Sequence, residues 1–273
     1  MSNDHYERPA VAGSGTIACG LAAAASTAGD VKVLARSDES AWRAEEQAQK
    51  AATKLEDGMP SRIRVTTQVA DLADCDLIVE AITEDVAAKA SLLRELGAAA
   101  DQADLATTTS SLRIADIAEA SGEGERLFGL HVFNPVTRME LIELCLPEAL
   151  RDGVADRARS WCRALDKVAV EVPDTAGFVV NRLLFPFLFD AVRVMENGHL
   201  SATGVDDCMR LGAAHPMGPL KLLDFIGLDV AEAIGNSIAD ESGIESHRPP
   251  QTVIDLVAAD KLGRKSGEGF FEY

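Results

Sequence analysis

The feature that most constrains this chain is a glycine-patterned turn near its amino terminus. Residues 9–12 are a short apolar run with the length of a buried strand, and Gly13-x-Gly15-x-x-Ala18 follows directly. An alanine-rich segment of helical composition continues through residues 16–28, Gly29-Asp30 closes it, and residues 31–35 read as a second strand. Strand, tight turn, helix and strand in that order make a βαβ unit, whose crossover is almost always right-handed. A turn of this kind suits a pyrophosphate. The first glycine permits the turn, the second lets the backbone approach the phosphates, and the third position, here alanine, sets how closely helix and strand pack. Gly13, Gly15, Thr16, Ile17 and Ala18 are therefore the expected dinucleotide contacts; a tight turn without a ligand is the alternative.

The alternation continues downstream. Residues 77–81 carry a buried-strand pattern, 86–100 a helical one, 105–108 another strand and 112–119 a short helix. Such a series implies a Rossmann-type, doubly wound parallel sheet covered by helices on both faces. Between Pro173 and Gly177 the texture changes, and helical patterns over 178–198, 201–211, 218–240 and 250–261 fill what remains. The expected organisation is an α/β domain over residues 1–173 and an all-helical domain over 174–273.

Composition excludes several functions. A formal net charge of −18 opposes nonspecific association with nucleic acid or an anionic membrane, and no basic stripe offsets it. The longest apolar stretches, such as 183–189, contain Pro186 and are far shorter than a membrane span. Neither nucleic acid nor membrane is expected as a partner. The segment 1–8 is polar with both charge signs and does not read as a secretory signal, so the expected location is the cytoplasm. Five widely spaced cysteines, Cys19, Cys75, Cys145, Cys162 and Cys208, lack a metal-type pairing and read as reduced, mostly buried thiols; no metal site is expected.

The second informative segment is Gly129-Leu130-His131-Val132-Phe133-Asn134-Pro135, with Glu143 inside the strand-like run 139–146. A histidine whose second nitrogen is held by a carboxylate is fixed in tautomer and raised in basicity, which suits it to take a proton from an alcohol while a nicotinamide takes the hydride. The alternative is a turn between antiparallel strands, with His131 merely bonded in the core. At the end of the second strand, where a carboxylate usually holds the adenosine ribose, this chain has Arg36 followed by Ser37. A guanidinium there suits a 2′-phosphate, favouring NADP over NAD; a surface arginine paired with Asp38 or Glu39 is the alternative.

The order of these motifs resembles the 3-hydroxyacyl-CoA dehydrogenase family, including its 3-hydroxybutyryl-CoA members. The resemblance rests on Gly13 to Ala18, Glu80 with Glu84 and Lys89, Thr109-Ser110-Ser111-Leu112, the His131 segment, Asp174-Thr175 with the run from Gly177 to Arg182, His215-Pro216-Met217-Gly218-Pro219, and Gly263 to Phe270. It implies that His131 is the general base and Glu143 its orienting partner. It further implies that Ser110 and Asn181 bond the reacting oxygen or the thioester region, that Asn134 lies between nicotinamide and substrate, and that Glu84, Lys89 and Lys265 lie near the cofactor. Each has a plain alternative: Ser110 as a cap for the helix at Leu112, Asn181 as an ordinary helix residue, Glu84 and Lys89 as a solvated face, Lys265 as part of a basic turn. The family also implies a helical domain that completes the cleft and forms a homodimer. His215 reads as a packing residue.

Three departures stand out. Arg36 replaces the ribose-binding acid, and Thr108 stands two residues before Ser110 where the family has asparagine. The family's long helical hairpin after the second strand is reduced to one helix over 39–55, on and just after which lie the bases Arg43, Lys50, Lys54, Arg62 and Arg64, available to an acyl-CoA. The expected reaction interconverts an L-3-hydroxyacyl-CoA and its 3-ketoacyl partner with NADP or NAD. The shortened hairpin keeps a small free hydroxy acid open as substrate, as in L-gulonate dehydrogenases, and a non-catalytic nucleotide-binding protein is the rival from another class.

Overall fold

The computed structural model describes residues 5–273; of the polar amino-terminal segment, residues 1–4 lie outside the described residues. The chain divides into two compact units, Met1–Asp174 and Thr175–Tyr273. The first is built on one eight-stranded sheet of order β3-β2-β1-β4-β5-β6-β7-β8. Its strands are β1 (Pro9–Ala12), β2 (Val31–Leu34), β3 (Ile63–Thr66), β4 (Leu77–Glu80), β5 (Asp104–Thr107), β6 (Leu127–Val132), β7 (Leu141–Cys145) and β8 (Val168–Glu171). The helices around it are α1 (Thr16–Ala28), α2 (Asp38–Ala52), α3 (Val86–Ala99), α4 (Ile114–Ser121) and α5 (Val154–Ala164). β1, β4, β5 and β6 are buried along their whole length, as strands covered on both faces must be. The alanine content of α1 has a packing cause. Residues 18–26 of the helix are all buried, and small side chains let it lie close on Val11, Val33, Val79 and Phe128.

The sheet is not wholly parallel as the alternation suggested. β7 runs antiparallel to β6, with His131 opposite Glu143. Only eight residues separate Val132 from Leu141, whereas a parallel crossover needs roughly a dozen or more. The stretch after β7, unassigned from sequence pattern, supplies α5 and the edge strand β8.

The second unit is helical: α6 (Val180–Gly198), α7 (Ala202–Asp207), α8 (Pro219–Ile226), α9 (Leu228–Ser242) and α10 (Gln251–Ala258), with a short π-helical turn Cys208–Gly212 after α7. Phe185, Leu188, Phe189, Leu223, Ile234 and Ile238 fill its core. The single helix expected over 218–240 is two. Gly227, at φ 107° and ψ 127°, takes a conformation that L-residues avoid and breaks the helix between α8 and α9. Among the described residues no helix is long and apolar enough to cross a membrane.

Candidate active site

A cleft of about 900 Å³ runs across the carboxyl ends of β2, β1, β4 and β5. This strand order reverses direction between β1 and β4, the switch point at which doubly wound sheets bind ligands. Gly13, Gly15, Thr16 and Ile17 line the cleft. The two glycines do different work. A Cβ on Gly13 would lie 2.3 Å from the Ala81 carbonyl oxygen and 3.3 Å from the Ala18 Cβ, so close packing of turn, strand and helix demands glycine there. At Gly15 a Cβ would meet nothing within 4 Å. That open space, over the N-cap of α1, is where a pyrophosphate would approach the backbone, so the residues present fit a dinucleotide. Ala18 is fully buried and sets the packing without reaching the cleft.

Behind the cleft lies a polar network. Glu80, the last residue of β4, and Lys89 on α3 form a fully buried ion pair, with the ammonium 2.9 and 3.1 Å from the two carboxylate oxygens. Thr107 Oγ1 and the Ile82 amide also donate to Glu80, each at 2.6 Å. Lys89 reaches on to Glu84 Oε2 at 3.4 Å. Glu84 Oε1 accepts from the Thr109 hydroxyl and from the amides and hydroxyls of Ser110 and Ser111, at 2.8 to 3.2 Å. Burial pushes the Glu84 carboxyl up, but the Lys89 ammonium and the bonds from the 109–111 segment outweigh it and hold the carboxyl below its ordinary range. Glu84 thereby moors the loop that carries Ser110, and both line the cleft.

At the end of β6 the antiparallel register brings His131 Nδ1 to 2.6 Å from Glu143 Oε2. Both side chains are buried, at 5% and 1% exposure, and the Phe133 ring packs on the imidazole with centroids 4.5 Å apart. A carboxylate this close to Nδ1 favours the tautomer protonated there and leaves Nε2 as the basic nitrogen.

The remaining expected residues fall into two groups. Arg36 lines the cleft, pairs with neither Asp38 nor Glu39, and is joined by Arg43, which sequence reasoning had grouped with the CoA-facing bases. Asn134 is exposed on the β6–β7 connection. Asn181 is buried at the second position of α6. Other expectations change. Ser37 does not line the cleft: its hydroxyl is spent on a capping box with Ser40 at the start of α2. Lys89, expected near the cofactor, is sealed beneath the cleft and acts on it through Glu84. Lys265 pairs with Asp229 within the helical unit. Arg62 is committed to the Ser26 and Thr27 carbonyls at the end of α1, at 3.1 and 3.0 Å, which removes it from the CoA cluster. Ser110 does not cap α4; Asp174 does, accepting the Ile114 and Ala115 amides at 2.7 and 2.8 Å. Sequence reasoning gave Glu80 and Asp174 no role. A charged residue closing the apolar run Leu77-Ile78-Val79 was the available signal for Glu80, whereas nothing local pointed from Asp174 to α4.

Comparison with known proteins agrees with this architecture. The family model described as 3-hydroxyacyl-CoA dehydrogenase, NAD binding domain, matches residues 9–175, and that of the same family's C-terminal domain matches 177–273. A probable 3-hydroxybutyryl-CoA dehydrogenase of Deinococcus radiodurans is 37% identical, over 96% of this chain and 99% of that protein. The crystal structure of Mycobacterium tuberculosis FadB2 superposes with a TM-score of 0.93 at 33% identity, covering 98% of this chain and 99% of that one. A third relative, hydroxyacyl-coenzyme A dehydrogenase of Rattus norvegicus, is 38% identical over 82% of this chain and 72% of its own length, and it is named mitochondrial. That finding overturns the purely cytoplasmic location expected above, because a relative this similar in sequence carries a mitochondrial name. Since the two family models follow one another along nearly the whole chain, the protein belongs to the 3-hydroxyacyl-CoA dehydrogenase family and is, at the level of that family, an NAD(P)-binding oxidoreductase.

Proposed function

We propose that the protein interconverts an L-3-hydroxyacyl-CoA and the 3-ketoacyl-CoA, with NADP used in preference to NAD. The observation that carries this reading is the buried His131–Glu143 pair at the carboxyl end of β6, in the same unit as a cleft fit for a dinucleotide. Bound nicotinamide supplies the two-electron acceptor for the carbinol carbon. His131 Nε2 removes the hydroxyl proton, and Glu143, holding Nδ1–H, stabilises the imidazolium that results. In the reverse direction the imidazolium returns the proton to the forming alcohol. Ser110 and Asn181 bond the reacting oxygen or the thioester, Asn134 separates nicotinamide from substrate, and Glu84 holds the Ser110 loop. Arg36 stands where a ribose-binding acid is usual and favours the 2′-phosphate. The helical unit serves substrate binding and pairing into a homodimer; Leu183, Val194 and Leu211 are large apolar side chains exposed on it.

A second reading, with a free hydroxy acid as substrate, draws support from the connection between β2 and β3, which holds the single helix α2 and leaves few bases for a CoA nucleotide. Absorbance at 340 nm separates the two. Oxidation of NADPH by acetoacetyl-CoA, faster than with NADH and absent with free acetoacetate, is expected; turnover of free acids alone would replace the thioester reading.

A further inference from the structure

The side chains lining the β2 end of the cleft are apolar groups, the Ser40 and Thr67 hydroxyls, and two arginines; none is a carboxylate. Arg36 follows β2 by two residues, and Arg43 lies on α2 one turn beyond Ser40, so that these two α2 residues share a helix face. Both arginines line the cleft. Arg36 has no ion pair among the described residues, and Arg43 has only Glu39 at 3.7 Å, with both side chains largely exposed. Neither Asp38 nor Glu39 lines the cleft; among the described residues its only carboxylates are Glu84 and Glu95, which come from the β4 and α3 side. The Ser40 hydroxyl is consumed locally, donating to the Ser37 carbonyl at 2.9 Å and accepting the Ser37 amide at 3.0 Å.

A ribose diol needs an acceptor side chain for its hydroxyls, and a guanidinium offers none. A phosphate monoester is the converse: it presents acceptor oxygens and close to two negative charges at neutral pH. We infer that Arg36 and Arg43 form a two-armed site for an adenosine 2′-phosphate, one arm from the β2 terminus and one from α2. The inference rests on the dinucleotide reading of the cleft and is independent of the acyl substrate. It assigns Arg43 to cofactor selection and separates it from Lys50 and Lys54, which do not line the cleft. Because α2 supplies the second arm, cofactor preference depends on how that helix is seated as well as on the residue ending β2.

Calorimetric titration of the full-length protein with 2′,5′-ADP, 3′,5′-ADP and 5′-ADP tests this without any turnover. A charge-assisted contact of this exposed kind contributes about tenfold in affinity, so 2′,5′-ADP should bind roughly 100-fold more tightly than 5′-ADP. Arg36→Ala and Arg43→Ala should each cost about tenfold for 2′,5′-ADP and leave 5′-ADP unchanged, the latter also showing that the variants are folded. Equal affinity of the unmutated protein for 2′,5′-ADP and 5′-ADP would overturn the phosphate site. An unaltered 2′,5′-ADP affinity in Arg43→Ala would overturn the second arm, and equal binding of 3′,5′-ADP would overturn its assignment to the 2′ position. Failure of all three probes to bind would instead remove the dinucleotide reading of the cleft, and the site with it.

Discussion

Replacing Lys89 with methionine isolates the network beneath the cleft. The substitution keeps most of the side-chain volume and strips the ammonium that contacts Glu80 at 2.9 and 3.1 Å, the Ile82 carbonyl at 3.4 Å and Glu84 at 3.4 Å. Glu80 retains two donors, Thr107 and the Ile82 amide, but its charge is left buried with no counter-ion. Removing one partner of a buried pair costs about 3 to 5 kcal/mol, and the two surviving donors place the expected loss near the lower end, about 3 kcal/mol. For a unit of this size that corresponds to a fall in melting temperature of roughly 10 °C. Urea unfolding followed by tryptophan emission is the suitable assay. The two tryptophans, Trp42 and Trp161, both lie in the first unit, and Trp161 is the buried reporter. Adding Glu80→Gln should recover part of the loss, because the double variant no longer buries an unpaired charge. A loss below about 1 kcal/mol for Lys89→Met, or a double variant weaker than it, would show that Glu80 is not a buried charge dependent on Lys89.

Glu84 is held below its ordinary value of 4.5, so its stabilising contribution is fully present above that value and is lost as pH falls through the lower, folded-state value. Melting temperatures recorded down to about pH 3 should therefore fall more steeply for the unmutated protein than for Glu84→Gln, and parallel curves would contradict this. Gly13→Ala should cost about 2 kcal/mol or more, since its Cβ collides with the Ala81 carbonyl, whereas Gly15→Ala should melt normally and bind NADPH about tenfold less well. Equal melting points for the two variants would show that the turn is not packed as described. Light scattering at micromolar concentration should give the mass of a dimer, and a monomer mass would remove the proposed pairing through the helical unit.

Periodicity made the first βαβ unit legible, because a buried helix and two buried strands leave few other arrangements for residues 9–35. The His131–Glu143 pair was legible as chemistry, while its geometry was not: the 2.6 Å contact depends on β7 running antiparallel, which only the short connection from Val132 to Leu141 dictates. Ser37 was misread because a hydroxyl beside Arg36 suits a phosphate and a helix cap equally well, and the cap is the nearer partner. The burial of Lys89 beneath the cleft is not legible in the sequence, because it depends on Glu80, a residue of a different element. Arg43 had the converse problem. Helical spacing joins it to Lys50 and Lys54, and only the seating of α2 on α1 and β3 sets it apart.

In the proposed reaction His131, held by Glu143, moves the proton during turnover. Steady-state kinetics of His131→Gln with acetoacetyl-CoA and NADPH, together with the Kd for NADPH by fluorescence, tests it most directly. The expected result is a fall in kcat of about 100- to 10,000-fold with little change in Kd, because the imidazole serves proton transfer and the cleft fit for a dinucleotide is lined by other residues. A variant that turns over at a near-normal rate, or one whose only defect is weakened NADPH binding, would contradict it.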